Sequence, residues 1–294
     1  MIQFKYNLDK SSKKFVCPNC GKRSFVRFVD NETGNYITEN YGRCDRESQC
    51  RYFYNPVNEK KHFNNFKITQ VTPTSYIDSM LVEQTEIDYS QNNFVKFLRK
   101  YFVSKQIGKV LEAYHIGTSK HWEGANIFWQ IDNKNRVRTG KIMLYNEISG
   151  KRIKEPYNHV NWVHSVLKLK DYKLKQCLFG LHRINIEISK PIAIVESEKT
   201  AIIMSIEAPE FLWLATGSKA NLKEELLQPI KNRIIILHPD KGEFQDWQKV
   251  VIQLKAKGYK IAISKLLEEM ELERGYDLAD FYIKEIKNKF LDLD

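Results

Sequence analysis

Two short apolar runs, each ending in a carboxylate, constrain this chain more than any other feature. Ile192 to Val195 runs into Glu196, and Ile234 to Leu237 runs into His238-Pro239-Asp240. A continuous apolar run of this length, without alternation, is what a strand shows when its sheet is covered on both faces, the usual state of a parallel sheet. Groups just past the strand ends of such a sheet collect along one edge, where ligands bind. Glu196 and Asp240, far apart in sequence, are therefore expected to share a site.

The pattern around the two runs agrees with this reading. From Pro191 onward strands and helices alternate: strand 192–195, a helix near 198–207, strand 211–214, a helix near 221–227, strand 233–237. A helix then carries Phe244, Trp247, Val250, Val251 and Leu254 on one face and is stopped by Gly258. Strand 260–263 and an acidic helical region follow. Alternation of this kind builds a parallel sheet with helical crossovers. The Thr216-Gly217-Ser218 loop offers backbone N–H groups that a phosphate could approach. Asp277-Leu278-Ala279-Asp280 places two carboxylates at the start of the last helix, where acids also serve simply as caps.

The segment VESEKTA, followed by a second strand ending in HPDKG, resembles the Toprim domain of primases, topoisomerases and some nucleases. The resemblance implies that Glu196 is the first-motif glutamate and Asp240 the second member of an Asp-x-Asp pair. His238 stands where the first Asp belongs. Glu198 and Ala201 match the phage-type motif Glu-Gly-Glu-x-Asp-Ala, whereas Ser197 and Thr200 depart from it. Asp277 and Asp280 resemble the late acidic motif of primase domains. On this resemblance Glu196 and Asp240 are catalytic, and Glu196, His238, Asp240, Asp277 and Asp280 hold Mg²⁺ or Mn²⁺. Imidazole in place of a carboxylate removes one negative charge and suits softer metals than Mg²⁺. Weak chemistry in Mg²⁺ is the expected consequence. The plainer reading makes Glu196 and Asp240 ordinary strand-end residues of some other α/β domain.

Four of the five cysteines lie near the start: Cys17-Pro18-Asn19-Cys20-Gly21, then Cys44 and Cys50. A C-x-x-C pair followed by Gly presents two thiolates to one ion across a tight turn. Between the pairs, SFVRFVD and NYITENYGR flank Asn31-Glu32-Thr33-Gly34, a hairpin signal. The sum is a zinc ribbon, with Zn²⁺ held by Cys17, Cys20, Cys44 and Cys50. His62 is a substitute ligand in reserve. Disulfides are the competing reading, which a reducing compartment disfavours. A redox C-x-x-C lacks the helix that should follow Cys20. Cys177 reads as a small buried hydrophobe. The ribbon also carries Phe25, Arg27, Phe28, Tyr36, Tyr41, Arg43, Arg46, Arg51, Tyr52 and Tyr54, a mixture that suits single strands, although about half of the aromatics must serve its small core.

Residues 57–75 are polar and without clear period, and read as a linker. Phe94, Phe97, Leu98 and Tyr101 then form a helix stripe. ANIFWQI and RVRTGKIMLYN flank the turn Asp132-Asn133-Lys134-Asn135 and form a hairpin. A polar segment rich in lysine and arginine, from Lys151 to Lys175, follows. His159 and His164 have no nucleophile or metal partner in view. The net charge of +11 is uneven, about net +13 before Lys190 and net −2 from there on. A basic part beside an acidic one suits a polyanion held by the first and processed by the second.

The chain therefore reads as an α+β multidomain protein: zinc ribbon 1–56, linker 57–75, basic primase-like subdomain 76–189 and Toprim-like parallel-sheet domain 190–294. An N-terminal ribbon ahead of such a unit resembles DnaG-type primases, and most closely the small primase-like proteins of mobile genetic elements. The function this implies is metal-dependent synthesis of a short RNA primer from nucleoside triphosphates on single-stranded DNA. The alternatives are a weak or inactive Toprim-like accessory protein that binds DNA or RNA, and a Toprim nuclease. No G-x-x-x-x-G-K-[ST] occurs, so helicase work falls to a separate helicase or replication or mobilisation protein. No apolar run approaches the ~20 residues of a membrane helix. The first residues lack the apolar core of a signal peptide, and a cytoplasmic protein is expected.

Overall fold

A computed structural model describes residues 5–46, 49–50, 52–56 and 73–291. His62, Arg51 and most of the expected linker lie outside these residues. The chain divides into two compact units, residues 1–72 and 73–294.

The first unit is a small antiparallel ribbon. Its strands are β1 (Tyr6–Leu8), β2 (Phe15–Val16), β3 (Arg23–Asp30), β4 (Gly42–Cys44) and β5 (Phe53–Tyr54), in the order β1-β3-β4-β5 with β2 also on β3. The expected second hairpin strand is interrupted. Tyr36 bridges Val29 and the Ile37 N–H reaches Phe28, but pairing resumes only when Phe28 donates to Tyr41. Residues 38–40 thus form an excursion. The core is meagre, with Phe25 buried between Cys17 and Cys44 and Tyr52 edge-on to it. Phe28 is also buried, while Tyr36, Tyr41, Tyr52 and Tyr54 are only half-covered.

The second unit holds two sheets. The antiparallel one runs β6 (Ile116–Thr118), β7 (Asn126–Ile131), β8 (Val137–Met143), β9 (Val160–Trp162), preceded by helices α1 (Met80–Thr85), α2 (Asn93–Leu98) and α3 (Ser104–Tyr114). Helix α2 is shorter than the stripe suggests, because the chain turns after Leu98. Phe94, Phe97 and Leu98 are nonetheless buried, at roughly 1.5–3 kcal/mol of apolar transfer each. The short helix α4 (Val163–Val166) follows β9 directly.

The parallel sheet has the order β11 (Leu212–Ala215), β10 (Ile192–Val195), β12 (Ile235–Leu237), β13 (Ile261–Ile263). Its helices are α5 (Glu198–Glu207), α6 (Glu224–Leu227), α7 (Phe244–Ala256), α8 (Leu266–Glu269) and α9 (Leu278–Leu291). The apolar runs are explained by cover on both faces. Ala193, Val195, Trp213 and Ala215 face one cluster with α2, α3, α5 and α9. Ile192, Ile194, Leu212 and Leu214 face another with Trp247, Val251 and Leu254 of α7. The first cluster takes residues from Phe94 to Ile283, so segments 76–189 and 190–294 share one core. Among the described residues no helix is long and apolar enough to cross a membrane.

Candidate functional site

The ribbon brings its four cysteines together. Cys17, Cys20, Cys44 and Cys50 place their sulfurs within 4.8 Å of one another, the one such ligand group among the described residues. Cys17 and Cys50 sulfurs are 3.7 Å apart, and those of Cys20 and Cys44 3.9 Å. Four sulfurs about 2.3 Å from a tetrahedral zinc lie about 3.8 Å apart, so the donor set fits Zn²⁺, and no pair is at bonding distance for a disulfide. The first knuckle is built by its backbone. Gly21 N–H donates to the Cys17 carbonyl at 2.9 Å, with Gly21 at φ +67°, a conformation that favours glycine. The Lys22 N–H lies against the Cys20 sulfur and draws that thiol down to about 6. The Ser24 hydroxyl lies 3.3 Å from the Cys44 sulfur.

In the second unit the carboxyl ends of the parallel strands open into a cleft of about 910 Å³. Glu196 leaves β10 and Asp240 follows β12, and both line the cleft with Asp277 and Asp280. The loop after β12 fetches the last two. Lys241 N–H donates to the Tyr276 carbonyl and Gly275 N–H to that of Lys241, each at 2.9 Å, while the Lys241 ammonium holds the Glu268 and Met270 carbonyls. This lacing sets the start of α9 against the end of β12. The cleft is also lined by basic residues, Lys151, Arg152 and Lys154 from the segment after β8, and Arg274 and Lys284 from the segment that carries Asp277 and Asp280.

The electrostatics of the four acids differ. Asp240 is pushed up to about 8, first by burial and then by the charges of Asp277, Glu196 and Asp280, against the pull of Lys199. Glu196 is raised by burial, with the Lys219 backbone N–H pulling the other way and the Glu243 charge adding to the rise. Asp277 is an N-cap. Its Oδ1 accepts from the Asp280 N–H at 2.8 Å and its Oδ2 from the Thr200 hydroxyl at 2.9 Å. Asp280 accepts from the Lys199 ammonium at 3.1 Å.

His238 is not among the residues lining the cleft. Its N–H continues the β10–β12 ladder to the Ile194 carbonyl at 2.8 Å, and its ring lies 5.2 Å from that of Trp213. Both ring nitrogens are buried without a hydrogen-bond partner among the described residues, and burial lowers the imidazole to about 4. Gly217 also departs from expectation. Its N–H is spent on the Glu196 carbonyl, at 2.9 Å. What Gly217 does require is its lack of a Cβ: at φ +76° a Cβ would stand 2.9 Å from Glu198 Oε1.

Two residues in the cleft were invisible to motif reading. Lys141, from β8, points its ammonium at both Glu198 oxygens, at 3.1 Å each, and at the Gly217 carbonyl, at 2.8 Å. It ties the antiparallel sheet to the first turn of α5. Lys199 lies inside the acidic group. A lysine in an apolar strand pattern is the signal that could have found Lys141, since β8 is otherwise buried through this stretch.

The family model described as domain of unknown function (DUF6371) matches residues 92–241, and the chain belongs to that family. The zinc beta-ribbon finger model matches residues 4–65. No curated protein matches the chain. Among solved structures it is similar to the primase fragment of the bacteriophage T7 primase-helicase, at 12% identity and TM-score 0.43, covering 95% of this chain and 97% of that one. It is similar to the RNA polymerase domain of Mycobacterium tuberculosis primase DnaG, at 10% identity and TM-score 0.44, covering 73% and 80%. The zinc-binding and RNA polymerase domains of the Aquifex aeolicus primase are similar at 14% identity and TM-score 0.39, covering 97% and 79%. Likenesses this distant leave the chemistry to be argued from the cleft itself.

Proposed function

We propose that this chain is a primase-like nucleic-acid enzyme whose second unit is Toprim-like and joins nucleotides by metal-dependent phosphoryl transfer on a single-stranded template. The observation that carries the reading is the cleft, lined both by Glu196 and Asp240 at the carboxyl edge of a parallel sheet and by the basic side chains of Lys151, Arg152 and Lys154. The donor set fits a hard cation. Carboxylate oxygens suit Mg²⁺ and Mn²⁺, and Asp240 is held up by burial and by neighbouring negative charge, the second of which a cation would relieve. Glu196 and Asp240 would hold the ion. Bound there, it would neutralise triphosphate charge and favour attack by a primer 3′-hydroxyl. Lys151, Arg152 and Lys154 bind phosphate oxygens and set the strand against the carboxylates. The zinc ribbon contributes a second surface for single strands, with half-exposed tyrosines and arginines.

A second reading, an accessory protein that binds nucleic acid without chemistry, is favoured by one observation: His238 faces Trp213, so one acidic position of the motif is missing from the cleft. Incubating the full chain with single-stranded DNA, labelled nucleotides and Mg²⁺ or Mn²⁺ separates the readings. Short RNA products support priming, fragments of the template indicate a nuclease, and neither product, with DNA bound, leaves the accessory reading.

A further inference from the structure

Lys199 occupies a position that local physics disfavours. Ser197 is the N-cap of α5, accepting from the Thr200 N–H, so Lys199 sits in the first turn of the helix. The positive end of the helix dipole lies there, and a cation in that turn is unfavourable. The side chain is also only 11% exposed, which penalises an ammonium further. A charged lysine stays in such a place only if something holds it. Its ammonium lies 3.1 Å from Asp280 and 3.7 Å from Asp277. Burial pulls the amine down, but the charges of Asp277, Asp280 and Asp240 outweigh it, and the group is raised overall.

The partners of the late acidic pair are thereby accounted for. Both Asp277 oxygens already accept hydrogen bonds, from the Asp280 N–H and from the Thr200 hydroxyl, and the ammonium lies beside them. Asp280 holds the ammonium directly. A divalent ion drawn to either carboxylate would repel the ammonium lying 3.1 Å from Asp280 and 3.7 Å from Asp277, and displacing that ammonium would leave it buried and unpaired, a costly state. Glu196 and Asp240 stand differently. Among the described residues neither is ion-paired with a lysine or arginine, and both line the cleft.

We propose that Lys199 is a resident cation of this centre: its ammonium occupies the Asp277–Asp280 carboxylates and leaves Glu196 and Asp240 as the seat of a single divalent ion. The proposal rests on the metal reading above and narrows it. A cleft with four acids invites two ions, as two-metal phosphoryl-transfer sites hold them about 3.5–4 Å apart. Here one of the two cations is covalently part of the chain. Its charge is single and its position fixed, so it neutralises the late acids without offering a coordination site to substrate oxygens.

The test counts ions and does not depend on turnover. Mn²⁺ is titrated into the zinc-loaded full chain, and bound ion is counted from the loss of the free Mn²⁺ resonance. Wild type should bind one Mn²⁺. Lys199→Met should bind two, with the broadened spectrum of a coupled pair. The double variant Lys199→Met/Asp280→Asn should return to one. Asp280→Asn alone keeps the wild-type ion within about threefold in affinity, because Asp280 holds no metal there. This last variant keeps the proposal testable should Lys199→Met fail to fold. Loss of the ion in Asp280→Asn, or one ion of unchanged affinity in a folded Lys199→Met, overturns the proposal and leaves the metal reading intact. Absence of bound Mn²⁺ in both wild type and Lys199→Met overturns both.

Discussion

Replacing Lys141 by Met should destabilise the second unit severely, through the partner it abandons. The ammonium makes three hydrogen bonds, two to Glu198 and one to the Gly217 carbonyl, with side-chain exposures of 9% and 2% for the two charged groups. Methionine matches the lysine stem in volume, so packing changes little. The loss is the uncompensated Glu198 charge, together with an orphaned carbonyl. Removing one member of a buried pair costs about 3–5 kcal/mol. For a unit of this size about 2–4 °C accompany each kcal/mol, so the melting temperature should fall by roughly 6–20 °C. Urea unfolding followed by the fluorescence of the buried Trp129, Trp213 and Trp247 reports this unit directly. The midpoint should fall with an unchanged slope. The double variant Lys141→Met/Glu198→Leu should recover most of the loss, because the bare charge is gone, and the cycle should show a coupling of about 2 kcal/mol or more. A Lys141→Met loss below about 1 kcal/mol, or a double variant no better than the single one, would refute the argument that a paired buried charge links the two sheets.

The remaining expectations concern the cleft and the ribbon. His238→Phe deletes two buried, unpartnered nitrogens and should stabilise the chain by about 1 kcal/mol while leaving Mn²⁺ affinity unchanged; weaker metal binding would make His238 a ligand after all. Asp240, raised to about 8, keeps in the folded chain a proton that the unfolded chain loses near pH 4, so stability present at low pH is lost as pH rises toward 8. Below about pH 6.5, His182 and His238, lowered to about 4 by burial, act in the opposite sense, so the clean window is pH 6.5–8. There zinc-loaded wild type without Mn²⁺ or Mg²⁺, its cysteine thiolates held on the zinc, should lose up to about 1.4 kcal/mol per pH unit and Asp240→Asn should be flat; equal slopes by chemical denaturation would count against it. Arg152→Ala/Lys154→Ala should weaken single-stranded DNA binding and lower the salt slope by about 1.4, and an unchanged slope would place the strand elsewhere. Elemental analysis should find one zinc per chain and none in Cys44→Ser.

The sequence carried much of this architecture, for physical reasons that differ by element. The strands β10 and β12 were legible because two covered faces leave no polar positions, and α5 because its cap and length are local. The cysteine cluster was legible because a knuckle is set by its own turn. The direction of the His238 ring was not legible, because a strand-end position says where the backbone is and not where the ring points; the ring lies beside that of Trp213. Asp277 shows the same limit, since an acid at a helix start is a cap or a ligand according to what Thr200 offers from α5. Lys141 and Lys199 escaped altogether. Each is defined by a partner on an element remote in sequence, Glu198 for the one and Asp280 for the other, and no local pattern encodes such a pairing. Segments 76–189 and 190–294, distinct in charge, share a core because the apolar faces of α2 and α3 pack on the same side of the parallel sheet as α5.

We propose that Glu196 and Asp240 form a working phosphoryl-transfer centre. Its most direct test compares wild type with Asp240→Asn, both zinc-loaded and both shown to bind single-stranded DNA equally, in template-dependent formation of labelled short RNA with Mn²⁺. Wild type should form product and the variant should lose on the order of 100-fold or more of it, since the carboxylate that seats the ion is gone. Equal product from the two proteins, or no product from a wild type that demonstrably binds Mn²⁺ and template, would contradict it.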